Sequence, residues 1–420
     1  MKHNAYDVVV IGGGASGMMA AISAARSGAS VLIVEKNKRL GEKLRITGGG
    51  RCNIWNEEHD ERLLLANYGK AEKFLYSSFS RFGLFDTKAF FSELGIETNV
   101  EDRKRAFPVT ESAEDVAEAL CKEIKRLNID VVYSTEIKKV VASKDTIYEV
   151  RSENEVFKAK TYILATGGSS KPETGSTGEG FAWMQELGLK TSDPSPTITP
   201  LAAKEQWVKG LSGTTLQNVA IAFSIDSKQS FRVSGDILCT HFGISGPLIL
   251  NNAAKVADLL QSGEVTARID LLPNDDHKQL DTKLIQLLED NRSKQLKSVL
   301  KLFLPNGIAK SLSQLFENEI DLEIHASEVT KETRKTIVHT SKALPLTISH
   351  LMGFDKAVIA DGGLELSELD MRSMRTNRYD NLYITGDLLN INRPSGGYSL
   401  QLCWTSGYIA GSSAASSLNS

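Results

Sequence analysis

YDVVVIGGGASGMMAAISAARSGASVLIVEK, Tyr6 to Lys36, reads as strand, glycine turn, helix and second strand. Val8 to Ile11 is a short apolar run, as a strand buried on both faces of a parallel sheet requires. Gly12, Gly14 and Gly17 supply G-x-G-x-x-G. The first glycine permits the tight turn, the second lets a pyrophosphate approach the backbone, and the third lets helix and strand pack closely. Ala20, Ala21, Ala24 and Ala25 keep the helix slim, and Gly28 ends it. Val31 to Val34 forms the second strand, and Glu35 stands at its tip, 18 residues beyond Gly17. A spacing of about 20 suits a carboxylate that accepts ribose hydroxyls. The motif alone is weak, but its full strand–turn–helix–strand context predicts a site for an adenine dinucleotide. Whether that is FAD or NAD depends on the rest of the chain.

The bulk numbers narrow the classes. A chain of 420 residues calls for two or three domains, and 41% hydrophobic with 24% charged residues excludes disorder. With 49 Lys and Arg against 52 Asp and Glu, the net charge of −3 provides no field for nucleic acid or an anionic membrane. Four scattered cysteines without a C-x-x-C pair predict no disulfide framework and no metal site, and suit a reducing compartment. No apolar run approaches the ~18 residues of a membrane span. The first strand starts at Tyr6, too early for a signal peptide, so the cytoplasm is expected.

Beyond Glu35, KNKRLGEKLRITGGGRCNIWN places Gly48, Gly49 and Gly50 among Lys43, Arg45 and Arg51. A glycine loop with flanking cations suits close approach to a phosphate-bearing or flat ligand. Cys52 has no second cysteine nearby, so dithiol exchange is not expected. Phe74, Leu75, Phe79, Phe82 and Phe85 are expected to cluster as core or domain seam. RKRAFPVT, Arg103 to Thr110, reads as a loop, either solvated or facing an anionic substrate. Glu111 to Leu127 has helical periodicity. TYILATGG, Thr161 to Gly168, is a strand with a second glycine turn, and Gly178 and Gly180 open a helix. No second G-x-G-x-x-G unit follows, so a dedicated NAD(P)H domain is missing.

SDPSPTITP, from Ser192, reads as a proline-rich linker; VAIAFSI, FRVSG and VTARIDL read as antiparallel strands. GISGP around Ser245 departs from a nucleophile elbow, because Pro247 holds its fifth place. His241 is expected to be structural. Residues 277–340 look helical and charged. Lys356 to Ala360 predicts a strand with a turn at Asp361-Gly362-Gly363, and Asn381 to Thr385 another, ending in Gly386-Asp387. A carboxylate there can accept hydrogen bonds from ribityl hydroxyls. Gly396 and Gly397 open a final helix reaching Ala415, whose N-terminus can hold anionic charge.

The ordered set GGGASG, EKNKRLGEKLRITGGGRCN, FPVTESAEDV, ATGGSSKPETGSTGEG, THFGISGP and GGYSLQLCWTSGYIAG covers nearly the whole chain. It resembles the BaiN-like, aminoacetone-oxidase-like family of bacterial NAD(P)/FAD-dependent oxidoreductases. The resemblance implies an α/β fold: a Rossmann-like FAD-binding domain of glutathione-reductase type, interrupted by a β-barrel-like domain and a small helical subdomain. The expected ranges are 1–190 with 346–420 for the FAD domain, 191–275 for the β insert and 276–345 for the helices. FAD would be bound non-covalently. By the same resemblance, Gly12, Gly14, Ala15, Ser16 and Gly17 would hold the pyrophosphate, and Glu35 the adenosine ribose. Lys36, Lys43, Gly48, Gly49, Gly50, Arg51, Cys52 and Asn53 would line the cofactor. Ile137 would sit near adenine, Thr166 and Gly167 on the pyrophosphate side, and Gly386 and Asp387 on the ribityl chain. Gly397, Tyr398 and Ser399 would lie at the flavin ring. Asp387 stands where the family usually has a longer Glu, and Asp361 where it usually has a neutral turn residue.

The expected function is hydride transfer between FAD and a small organic substrate, with NAD(P)H as transient co-substrate or oxygen as acceptor. No side chain identifies itself as the catalytic acid or base. A fumarate-reductase-like dehydrogenase, an RNA-modifying flavoprotein and a flavin-binding regulator are the alternatives. The charge balance counts against the RNA reading.

Overall fold

The first strand, β1 (Tyr6–Ile11), leads through the glycine turn into α1 (Ala15–Arg26) and back to β2 (Val31–Val34). These elements belong to a computed structural model that describes residues 6–226, 228–305, 307–311, 315–316 and 320–418. The parts of the expected domains that fall on other positions lie outside the described residues. Later come α2 (Ala113–Arg126), β3 (Asp130–Val132), β4 (Ala159–Leu164), β5 (Leu382–Ile384) and α3 (Tyr398–Ser416). β5, β4, β1, β2 and β3 lie side by side, all parallel, and two short antiparallel strands extend the β5 edge to make seven. Val8, Val9 and Val10 are completely buried, as a strand covered on both faces demands.

α1 and α3 cross in close contact. A Cβ on Gly407 would fall 2.4 Å from the Ser16 carbonyl oxygen, and one on Gly411 2.1 Å from that of Ala20. The Ser23 hydroxyl donates to the Tyr408 carbonyl across the same seam at 2.8 Å. The last helix is thereby pressed onto the first, and its N-terminus comes to the end of the sheet where the glycine turn lies.

The chain divides into two compact units, Met1–Pro196 with Val358–Ser420, and Thr197–Ala357. The second contains a closed six-stranded antiparallel barrel, in the order Leu201–Ala203, Gly243–Ser245, Lys228–Thr240, Thr215–Ile225, Val265–Asp270 and Leu344–Leu351. The helices His277–Asp290, Leu296–Phe303 and Lys331–Lys342 share one continuous apolar cluster with the barrel strands.

Four local expectations are corrected. Residues 191–198 form a strand rather than a linker, pairing with Ile359–Leu364 in a two-stranded sheet. A strand with one free edge tolerates Pro194 and Pro196, which lack the amide a central strand needs. Ile359–Leu364 also runs straight through Asp361-Gly362-Gly363, where a turn was expected. The glycines serve close approach instead: a Cβ on Gly362 would meet the Asp193 carbonyl oxygen at 2.5 Å, and one on Gly363 the Leu388 oxygen at 2.3 Å. Arg105–Pro108 is the middle strand of a three-stranded sheet, not a loop. Of the expected aromatic cluster, Leu75, Phe79 and Phe82 are buried, whereas Phe74 and Phe85 are exposed on the outer sides of their helices. Among the described residues, no helix is long and apolar enough to cross a membrane, and the four cysteines are unpaired.

Candidate active site

A cavity of about 170 Å³, open to solvent, lies in the first unit at the C-terminal ends of the parallel strands. Open α/β sheets bind ligands at this end. Its wall contains Gly12, Gly14, Ala15 and Ser16 of the first turn, Glu35 and Lys36 beyond β2, and Lys43. Ile137, Thr166, Gly167, Asp387 and Ser399 complete the expected residues that it brings together.

The glycines of the first turn differ in purpose. On Gly17, a Cβ would lie 1.9 Å from the Gly12 carbonyl oxygen, so this glycine lets α1 meet the strand. Gly12, at φ +100°, faces the Ala165 carbonyl in the same way. At Gly13 a Cβ would meet the end of the Leu40 side chain at 2.2 Å and Glu35 Oε2 at 3.1 Å, so a residue there must displace side chains rather than backbone. Gly14 is unlike all three: no protein atom lies within 4 Å of the position its Cβ would take. The space beside Gly14 is open and borders the cavity. It lies at the N-terminus of α1, where no side chain caps the helix. Free amides and the positive end of the helix dipole suit an anion there.

Glu35 is buried, and backbone amides hold its carboxylate. Oε2 accepts from Gly13 N at 2.6 Å and Oε1 from Asn37 N at 2.7 Å. Lys36 donates to Thr177 Oγ1 at 2.8 Å and pairs with Glu179. Thr166 borders the cavity, but its hydroxyl oxygen is buried against Gly180 and has no protein hydrogen-bond partner.

Asp387 is held by side chains. Its Oδ1 is bonded to the Arg393 guanidinium, and its Oδ2 lies 3.7 Å from Lys43 Nζ. Arg393 is 2% exposed. It also donates from Nη1 to the Ile391 carbonyl at 2.6 Å and from Nε to Ser399 Oγ at 3.1 Å. Burial pushes the Lys43 ammonium below its ordinary value, against the pull of Asp387. Burial alone would raise Asp387, but the Arg393 and Lys43 charges outweigh it and hold the carboxyl below the usual range. Cys403 borders the same wall, and burial pushes its thiol up to about 12, so it stays neutral.

Other expected residues lie off the cavity wall. Gly49 and Gly50 are exposed, and Gly48 sits beside Phe107. Arg51 pairs with Glu101 and Glu111 and stacks its guanidinium on Phe107, 4.3 Å from the ring centre. Cys52 is buried at φ +62°. The Asn53 amide, in the orientation that satisfies both of its ends, accepts from Gly397 N at 2.9 Å. It thereby ties the glycine loop to the start of α3 and occupies one amide of that helix end. Gly386 and Gly397 are backbone pivots: a Cβ would meet Ser16 Oγ at 2.5 Å and the Trp55 carbonyl carbon at 2.2 Å respectively. Tyr398 is partly buried and packs edge-on against Tyr68. His241 is exposed beside Phe242 in the barrel unit. Arg393 was not expected at all. The one local hint is its acid partner six residues earlier, ahead of a double glycine.

Residues 6–413 match the family described as HI0933-like protein Rossmann domain, and the chain belongs to it. A 3-dehydro-bile acid delta(4,6)-reductase from Clostridium scindens is 30% identical over 409 residues, 97% of this chain and 98% of that protein. A ribosomal RNA dihydrouridine synthase from Haemophilus influenzae is 27% identical over 407 residues, 95% and 96% of the two chains. Among solved structures, the open conformation of a flavocytochrome c3 fumarate reductase superposes with a TM-score of 0.56 at 14% identity. The match covers 98% of this chain and 78% of that one, and shows a shared fold. The protein is an FAD-dependent oxidoreductase with a Rossmann FAD-binding domain. The ribosomal RNA relative means that charge balance alone does not exclude a nucleic-acid substrate.

Proposed function

We propose that this protein reduces an electron-poor carbon–carbon double bond in a small organic molecule, with FAD bound non-covalently and NAD(P)H as transient co-substrate. The observation that carries this reading is the full-length likeness to two proteins of unlike substrate whose names share one reaction. A delta(4,6)-reductase removes ring double bonds, and a dihydrouridine synthase saturates one. FAD supplies the two-electron hydride chemistry when bound.

In this reading, the clear space over Gly14 and the uncapped amides near Ala15 and Ser16 take the pyrophosphate, with Thr166 and Gly167 flanking it. Glu35 keeps lone pairs for ribose hydroxyls after accepting its two amides. Ile137 borders the adenine, Lys36 and Lys43 line the cofactor, and Asp387 receives the ribityl hydroxyls. Gly397, Tyr398 and Ser399 lie against the ring system, while Asn53 holds the Gly48 to Cys52 loop in register beside them. The four unpaired cysteines suit the cytoplasm.

The likeness to the ribosomal RNA enzyme supports a second reading with the same chemistry on a nucleic acid. Charge favours the small molecule: the barrel unit, residues 197–357, carries 18 Lys and Arg against 18 Asp and Glu. The test is an anaerobic titration of the yellow protein with NADH and NADPH, followed by a panel of enones. Bleaching by either nucleotide and recolouring by an enone is expected. Recolouring by oxygen alone would sink the reductase reading in favour of an oxidase. A salt-sensitive gel shift with ribosomal RNA, absent with enone turnover, would select the second reading.

A further inference from the structure

Lys43, from the segment after β2, meets Asp387 and Arg393, from the segment after β5, where Lys43 and Asp387 border the cavity and Arg393 is buried behind them. Arg393 spends its guanidinium on three fixed partners: Asp387, the Ile391 carbonyl and Ser399 Oγ. A buried guanidinium does not lose its proton, so this charge is permanent. Asp387 neutralises it in direct contact. Lys43 is then left over: its ammonium is 3.7 Å from the second Asp387 oxygen and donates to Ser170 Oγ at 3.2 Å. Among the described residues, Asp387 is the only carboxylate within ion-pair distance of either cation. The triad thus carries two positive charges against one negative.

We propose that this ion triad sets the reduction potential of the bound flavin, with Arg393 as the positioning residue that locks Asp387 and Lys43 as the uncompensated charge. The proposal rests on the flavoenzyme reading and names how that same site is tuned. A triad of net positive charge favours the more negative, reduced state of a neighbouring redox group. Removing Lys43 and removing the Asp387 charge must therefore shift the potential in opposite directions. Structural damage has no reason to produce opposite signs.

The experiment equilibrates holoprotein with a reference dye under anaerobic conditions, for wild type, Lys43→Gln, Asp387→Asn and Arg393→Lys. FAD dissociation constants are measured in parallel. Lys43→Gln should disfavour the reduced form about tenfold, a fall of about 30 mV for a two-electron couple. Asp387→Asn should raise the potential by a similar amount. Arg393→Lys keeps the charge and should stay near wild type. Shifts of the same sign in Lys43→Gln and Asp387→Asn would overturn the proposal. So would unchanged potentials with weakened FAD binding, which would make the triad a phosphate or ribityl anchor. Should Arg393→Lys not fold, the other two variants still decide. Wild-type protein that retains no FAD would instead sink the flavoenzyme reading itself.

Discussion

Glu35 and Asp387 both follow parallel strands of one sheet and both border the same cavity, yet they are held by opposite means. Glu35 is gripped by two backbone amides, from Gly13 and Asn37, which the turn and the strand end supply together. Asp387 is gripped by two cationic side chains, Arg393 and Lys43. The first arrangement is part of the backbone, so it exists wherever this turn exists. The second is a set of charges that can be changed one at a time without altering the strand. Binding geometry is therefore built into the β2 end, and adjustable electrostatics into the β5 end.

The largest break in that comparison is Arg393→Leu. It strands a carboxylate beside the cavity with only Lys43 for company, and losing one member of a buried pair costs about 3–5 kcal/mol. Urea unfolding of the apoprotein should show that loss, and Asp387→Asn in the same chain should recover more than half of it. Strictly additive losses would mean that the two do not act as a pair. Glu35→Gln comes next. The amide oxygen can accept one of the two backbone N–H groups, but its NH₂ confronts the other, at a cost of about 1–3 kcal/mol. Amide exchange at Gly13 or Asn37 should quicken in this variant and stay unchanged in Arg393→Leu. Equal quickening in both would erase the distinction between the two ends.

The same distinction explains what the sequence made legible. β1, the glycine turn, α1, β2 and Glu35 lie within 30 residues, so spacing and periodicity suffice to read them. Lys43, beside a glycine loop, and Asp387, at a strand end, were each legible as site residues, but that they meet, with Ser170 and with Arg393 locking the acid, is a contact across more than 300 residues that no local pattern carries. Gly13 was legible in principle, but a three-glycine template passes over a fourth. In the GGGRCN loop, Arg51 finds its partners 50 and 60 residues on, at Glu101 and Glu111, and Asn53 bonds Gly397, contacts that no spacing within the loop carries. The proline-rich stretch 191–198 misled for a different reason: composition cannot say that only one edge of the strand needs its amides. In the barrel unit, alternation exposed the strands, but closure is a property of register, which alternation does not carry.

Two smaller effects separate fold from function at each end. Burial disfavours the charged form of Lys43, so Lys43→Met should stabilise the apoprotein by about 1 kcal/mol at pH below the folded pKa of that lysine. Its folded pKa is lowered, so the unfolded chain binds more protons, and wild-type stability rises with pH up to the ordinary lysine value. The advantage of the methionine must therefore fade as pH rises through the folded pKa. An advantage that is flat with pH would show that Lys43 bears no burial cost.

Gly14→Ala is the smallest change, and it probes the other end. Nothing in the protein lies within 4 Å of the added methyl, and the φ of −77° suits alanine. Unfolding free energy should move by less than about 0.5 kcal/mol. FAD affinity should fall at least tenfold, because the methyl enters the space left over the α1 amides. Gly17→Ala is the contrast: its methyl meets the Gly12 carbonyl at 1.9 Å, so the fold must yield before any ligand is involved. Calorimetric titration of the Gly14 variant with FAD, beside its melting curve, decides the matter. Intact affinity would mean that the clear space serves no ligand, and that this glycine is needed neither by the fold nor by the cofactor.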